Sequence, residues 1–167
     1  TIAHGGAPLQ APAQPDAAQL LGPADAYVAR ILNLVGTHAH AIHAMLTVSR
    51  IEWSRDVATA CVECQDRPRL LLNPEFVQRW CHTPERLAAL ILHELMHIAL
   101  GHTRLYPQPT AIHNVAFDAI INRSVLEAIM AGGANVQAYA AMFTDFYAAD
   151  ASPAFLLRPP PGWPLTP

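Results

Sequence analysis

The sequence predicts an α+β fold, a small twisted sheet packed on one buried central helix with further helices around it. Three observations predict it. Apolar residues make up 52% of the 167 and charged residues only 14%, so most of the chain must be packed, and the length suits one domain. Leu46–Val62 and Arg69–Asn73 carry short strand-like patterns. Thr83–Gly101 and Ile112–Gly133 are long apolar helical patterns, each closed by glycine.

The elements follow in order. Residues 1–22, rich in Ala, Pro, Gln and Gly and without periodicity, read as a flexible arm. Pro23 suits a first helical turn, and Tyr27, Ile31, Leu34 and Val35 then recur at helical spacing. This helix extends to about Met45 unless Gly36 breaks it. Leu46–Val62 interleaves Val48, Ile51, Trp53, Val57 and Val62 with polar residues, as one or two strands would. Cys64 to Pro68 reads as a turn. Arg69–Asn73 reads as a short strand ended by Pro74, and as an edge on which an extended peptide could align.

Thr83 is a good N-cap, Pro84 occupies the first helical position, and Glu85 favours the positive helix end. The helix then runs to Gly101, a natural stop, and its nearly all-round apolar surface predicts burial. Pro107 and Pro109 mark a connector before a helix over Ile112–Ala131, and residues 134–150 read as helical too. The domain is therefore expected to span 23–150, with 151–167 a Pro-rich tail or linker.

Composition excludes several classes. A formal charge of −3 with only 10 Lys and Arg leaves no basic footprint, so nucleic acid is not expected as a partner. No membrane span is expected, because Leu87–Leu100 is too short and is interrupted by His93, Glu94 and His97. Three cysteines do not make a disulfide framework, and the start shows no basic region followed by an apolar one. Both lean towards a cytoplasmic location.

His93-Glu94-Leu95-Met96-His97 fits H-E-x-x-H. Four residues make slightly more than one helical turn, so both imidazoles leave one face and can share one zinc ion, as in zincin-type peptidases. Glu94 would then reach a water on that zinc and act as general base on a carbonyl. The alternative is a pair of core histidines bonded to neighbours. Two histidines and a glutamate in an apolar helix are costly unless something satisfies them, which favours ligation.

A catalytic zinc takes a third protein ligand. Gly101 and His102 lie four and five residues after His97, so the metzincin spacing fails. A continued helix would also turn His102 away from the 93/97 face, leaving it to contact a ligand or substrate or to cap the helix end. Asn114, Asp118 and Asn122 form a polar stripe at i, i+4 and i+8 among apolar residues. With Arg123 and Glu127 nearby it could face solvent. On the sharper reading Asp118 completes the zinc site, and Asn114 and Asn122 orient ligands or hold the helices together.

The runs HELMHIALGH and NVAFDAIIN, with LLLNPEF upstream, resemble a bacterial family, the putative metallopeptidase domain often found ahead of a von Willebrand A-like domain. The resemblance covers roughly residues 45–125. It implies His93 and His97 as ligands, Glu94 as general base and Asp118 as third ligand, in a zincin-like fold. The half that follows in that family is absent from this sequence, which leaves either a missing C-terminal domain or partner protein, or a compact relative. Cys61, Cys64, Cys81 and His82 are poorly spaced for a second zinc, and His38, His40 and His43 read as surface residues. The expected activity is zinc-dependent hydrolysis of a protein or peptide. The rivals are a non-catalytic zinc-binding module of a larger assembly and a zinc amidase acting on a non-protein substrate.

Overall fold

The computed structural model describes residues 16–35, 46, 50–63, 68–148 and 153–163. The expectations for residues 1–15, for a helix reaching Met45, for His38, His40, His43 and Cys64, and for the last four residues lie outside the described residues.

The architecture is α+β, as expected. Helix α1 (Ala17–Leu21) and α2 (Ala24–Val35) precede three strands, β1 (Arg50–Trp53), β2 (Ala60–Glu63) and β3 (Arg69–Leu72). Then come α3 (Pro74–Trp80), α4 (Pro84–Ala99), α5 (His102–Leu105), α6 (Ala111–Ala131), α7 (Val136–Phe146) and a 3-10 turn, Ala154–Leu157. Among the described residues no helix is long and apolar enough to cross a membrane. The start of α1 falls inside the expected arm, where Asp16 caps it by accepting from the Ala18 N–H at 2.9 Å.

The sheet order is β1-β3-β2, with β3 parallel to β1 and antiparallel to β2. This corrects the expectation that Arg69–Asn73 is an edge. β3 is the central strand, paired on both sides, so it has no free ladder for a peptide. The physical signal was its three consecutive leucines, all buried here. A continuous apolar run fits a strand covered on both faces, whereas a half-exposed edge alternates. Ile51 aligns with Leu70, and Val62 faces Leu70 from the other side, fixing the register.

Pro74 ends β3 but also begins a helix, which the sequence reading missed. The Asn73 side chain accepts from the Phe76 N–H at 3.0 Å and donates to the Val57 carbonyl at 2.9 Å. One residue thus caps α3 and ties it to the β1–β2 connection. Proline costs nothing at the first helical position, where its missing N–H would be unpaired anyway.

Helix α4 is the centre of the molecule. Thr83 caps it by accepting from the Arg86 N–H at 3.3 Å. Leu87, Ala88, Ala89, Leu90, Ile91 and Leu95 are buried, in contact with α2, β2, α6 and α7. The small Ala88 and Ala89 leave room for neighbours to approach, while Leu87 and Ile91 fill the core. On α2, Tyr27, Val28 and Leu32 enter the same core, and Trp53 of β1 donates its indole N–H to the Gly22 carbonyl at 2.6 Å. Cys81 is part of this core, and burial pushes its thiol up to about 12, against the pull of Arg86. It is therefore an inert thiol near neutral pH, and His82 beside it is exposed.

Helix α6 is capped by Thr110, whose hydroxyl accepts from the His113 N–H while the His113 ring accepts from the Thr110 N–H. Its C-terminal half is built into the core through Ile121, Val125 and Leu126; its N-terminal half carries exposed Ile112 and Ile120. The expected tail is packed where it is described, with Leu157 buried and Trp163 against the core.

Candidate metal centre

The residues of interest meet where α4 and α6 touch. His93 and His97 leave α4 one turn apart on the same face, and their Nε2 atoms are 3.2 Å apart. Asp118, on α6, places Oδ1 3.5 Å from His93 Nε2 and 3.3 Å from His97 Nε2. Among the described residues this is the group of histidine, cysteine and carboxylate side chains placed to hold a metal ion. Each member offers one atom, and the three form a nearly equilateral triangle.

Electrostatics supports that use. Burial acts to raise the Asp118 carboxyl, but hydrogen bonds and charge from His93 and His97 outweigh it and bring it down to about 2. Asp118 is thus an anion at any ordinary pH. For His93, burial acts to lower the basicity; the Asp118 contact, the Glu94 and Asp118 charges and the Asn122 bond raise it above its usual value. A proton on His93 therefore competes with a metal for the same site. The metal-free His93 takes a proton as pH falls through this raised value, and a metal must then displace it. Metal affinity is accordingly expected to fall by at least about tenfold per pH unit below that point, with proton release as the ion binds. Titrating affinity against pH in a chelator competition checks both, and affinity independent of pH between 5 and 8 would contradict the assignment.

Glu94 is buried against β2, with the Val62 backbone hydrogen-bonded to its carboxylate. Burial raises its pKa despite the neighbouring His93 and His97 charges. Two carboxyl groups in one site are thereby driven in opposite directions, Glu94 up and Asp118 down.

The stripe on α6 divides into three environments. Asn114 is exposed at the cleft mouth, Asp118 faces the two histidines, and Asn122 is buried at 3% exposure. The Asn122 Oδ1 lies 2.6 Å from His93 Nδ1, the ring nitrogen pointing away from Asp118. A solvent-facing strip is excluded for Asp118 and Asn122.

His102 sits where a continued helix would not put it. Gly101 adopts a left-handed conformation, φ 69°, and reverses the chain, bringing the His102 Nδ1 to 3.2 Å from His97 Nδ1. That is the nitrogen of His97 remote from Asp118. His102 also stacks on Phe117, ring centroids 3.9 Å apart, so it props His97 from behind.

In front of the triangle lies a cleft of about 330 Å³. One wall is β2 and its approach, Thr59 to Val62; the other is α7, with Met142, Phe143, Phe146 and Tyr147. The sequence reading missed this second wall entirely. Tyr147 follows the end of α7, and burial, with the Asp118 and Glu94 charges, pushes its phenol up well beyond the ordinary range. It stays a neutral donor facing two carboxylates. No spacing rule points at a tyrosine just past a helix end.

The family model described as "Putative metallopeptidase domain" matches residues 25–140. It includes His93, Glu94, His97, Asp118 and Asn122, and stops before Tyr147. No curated protein and no solved structure matches the chain.

Proposed function

Because the chain belongs to the family described as "Putative metallopeptidase domain", we propose that it is a zinc-dependent peptidase of the H-E-x-x-H type, with His93, His97 and Asp118 as ligands and Glu94 as general base. One observation carries the choice of zinc. Ligands at about 2.0–2.1 Å from a tetrahedral ion lie about 3.3 Å from one another. The three separations here are 3.2, 3.3 and 3.5 Å. Two imidazoles and one carboxylate are also the donor types zinc accepts in catalytic sites, leaving a fourth position open to the cleft.

When bound, zinc supplies a Lewis acid that lowers the pKa of water to near neutrality and polarises a carbonyl oxygen. Glu94 takes the proton from the water whose oxygen bonds to the scissile carbonyl carbon. It returns that proton to the amine as the C–N bond breaks, and its raised pKa suits both halves of the task. Asp118, held ionised, serves as ligand and not as base. Asn122 fixes His93, and His102 braces His97.

β2 is paired on one side by β3, and its residues form the cleft wall, so an extended substrate is placed along β2 by strand addition. Phe143 and Phe146 opposite favour an apolar or aromatic side chain near the cut. Tyr147 can donate its O–H to the carbonyl oxygen as charge develops there. Tyr147→Phe is expected to lower kcat by about ten- to a hundredfold with zinc content and KM little changed. Steady-state kinetics on a fluorogenic peptide measures this, and an unchanged kcat would remove Tyr147 from the mechanism.

The test of the function is direct. Purified protein is assayed by mass spectrometry for metal and by a peptide-library digest for cleavage, before and after chelation. Stoichiometric zinc, cleavage lost on chelation and recovered on adding zinc are expected. Zinc without cleavage of any peptide would leave the metal site standing and refute the peptidase.

A further inference from the structure

Asn122 connects a proposed zinc ligand to a part of the chain that lies outside the family match. Its Oδ1 is 2.6 Å from His93 Nδ1, and its Nδ2 donates to the Leu157 carbonyl at 2.8 Å. A carboxamide has one accepting end and one donating end, so these two contacts are not independent. The Leu157 carbonyl can only accept, so it takes the NH2 end and leaves Oδ1 for His93. Oδ1 can only accept in turn, so His93 must carry its proton on Nδ1. In the neutral ring Nε2 then keeps its lone pair, and Nε2 is the atom facing His97 and Asp118.

We propose that the segment 153–163 positions His93 for the metal through this relay: the Leu157 carbonyl sets the orientation of the Asn122 amide, and the amide sets the tautomer of His93. The inference rests on the reading of His93 as a zinc ligand. A freed amide could turn its NH2 end towards His93, which would then have to accept on Nδ1 and hold its proton on Nε2, the position the metal needs.

The segment is built to hold that carbonyl in place. The 3-10 turn Ala154–Leu157 lies against α6, with the Leu157 side chain 7% exposed. Further along, the Trp163 carbonyl accepts from Gln137 Nε2 at 2.6 Å, and the Arg123 guanidinium lies 5.9 Å from the Trp163 ring centre. Between these two anchors a cavity of about 280 Å³ separates the segment from α6, with Asn122 and Leu126 on one side and Phe155 and Pro159 on the other. The carbonyl is held by these two anchors and by the next residue, Arg158, whose guanidinium donates to the Ala148 carbonyl at 3.0 Å.

The test uses the full chain and reads zinc affinity by competition with a fluorescent chelator. Leu157→Ala and Trp163→Ala loosen the two anchors, and each is made alone and together with Asn122→Asp. A carboxylate accepts at both oxygens, so in the Asn122→Asp background there is no amide to flip. Each anchor variant is expected to weaken zinc by about ten- to a hundredfold against the parent chain and to cause no further loss in the Asn122→Asp background. Nitrogen-15 shifts of His93 in the metal-free anchor variants, read at a pH where the ring is neutral, should show the Nε2–H tautomer emerging. Equal losses in both backgrounds would reduce the segment to a structural prop, and no loss in either would overturn the relay. Trp163 is only partly buried, so its variant serves if Leu157→Ala does not fold. A parent chain that binds no zinc refutes the metal site itself; zinc indifferent to both anchors refutes the relay alone.

Discussion

Replacing Glu94 by glutamine is expected to lower peptide hydrolysis by about 10²- to 10⁴-fold while zinc stays bound in full amount. The size follows from what the residue is asked to do. General-base help contributes that much, and glutamine keeps the shape and the contact with Val62 but cannot take a proton. Zinc should remain because Glu94 is not among the three side chains whose atoms converge. Burial makes the substitution safe for the fold, since a neutral amide replaces a group whose charge burial already disfavours. The measurement is a progress curve for both proteins on one substrate, with metal content determined on the same samples. A variant that cleaves at the parental rate would remove Glu94 from the chemistry.

How much of this could be read without coordinates differed from element to element, for physical reasons. The bounds of α4 were legible because Thr83, Pro84 and Gly101 each have one strong positional meaning. The partnership of α4 with α6 was legible because buried polar groups at helical spacing require a polar target, and His93 with Asn122 supplies one. The place of β3 is not fixed by the sequence because Pro74 fits the end of an edge strand, whereas the three-leucine run fits a central one, and β3 pairs on both sides. His102 is read as a group contacting a ligand, but not how it gets there, because a helical projection assumes the helix continues and a left-handed glycine ends that assumption in one residue. Tyr147 and the Leu157 carbonyl were beyond reach for a different reason. One lies at the end of an amphipathic helix with nothing periodic about it, and the other acts through its main chain, which every residue shares.

Removing the third side of the triangle gives the second large effect. Asp118→Ala is expected to lower zinc affinity by well over a hundredfold, more than the ten- to a hundredfold typical of losing a group behind a ligand. Three changes act together. The site loses one of its three donor atoms, it loses the anion that offsets the metal's charge, and His93 and His97 lose the partner that fixes their Nε2 atoms in register. His102→Ala removes only the ring behind His97, so its cost should stay within that ten- to hundredfold range. The comparison between the two variants is the sharp one, because both lie beside His97 but on opposite ring nitrogens. The metal-free parent offers an independent check. With Asp118 held down at about 2 in the folded state, it contributes stability above its unfolded pKa of about 3.9. That contribution is lost as pH falls through the folded value, so the parent and Asp118→Ala should differ in denaturant midpoint at pH 5 and converge below about pH 2. If zinc instead persists in Asp118→Ala and is lost in His102→Ala, the third ligand is His102, and α6 supports the site without joining it.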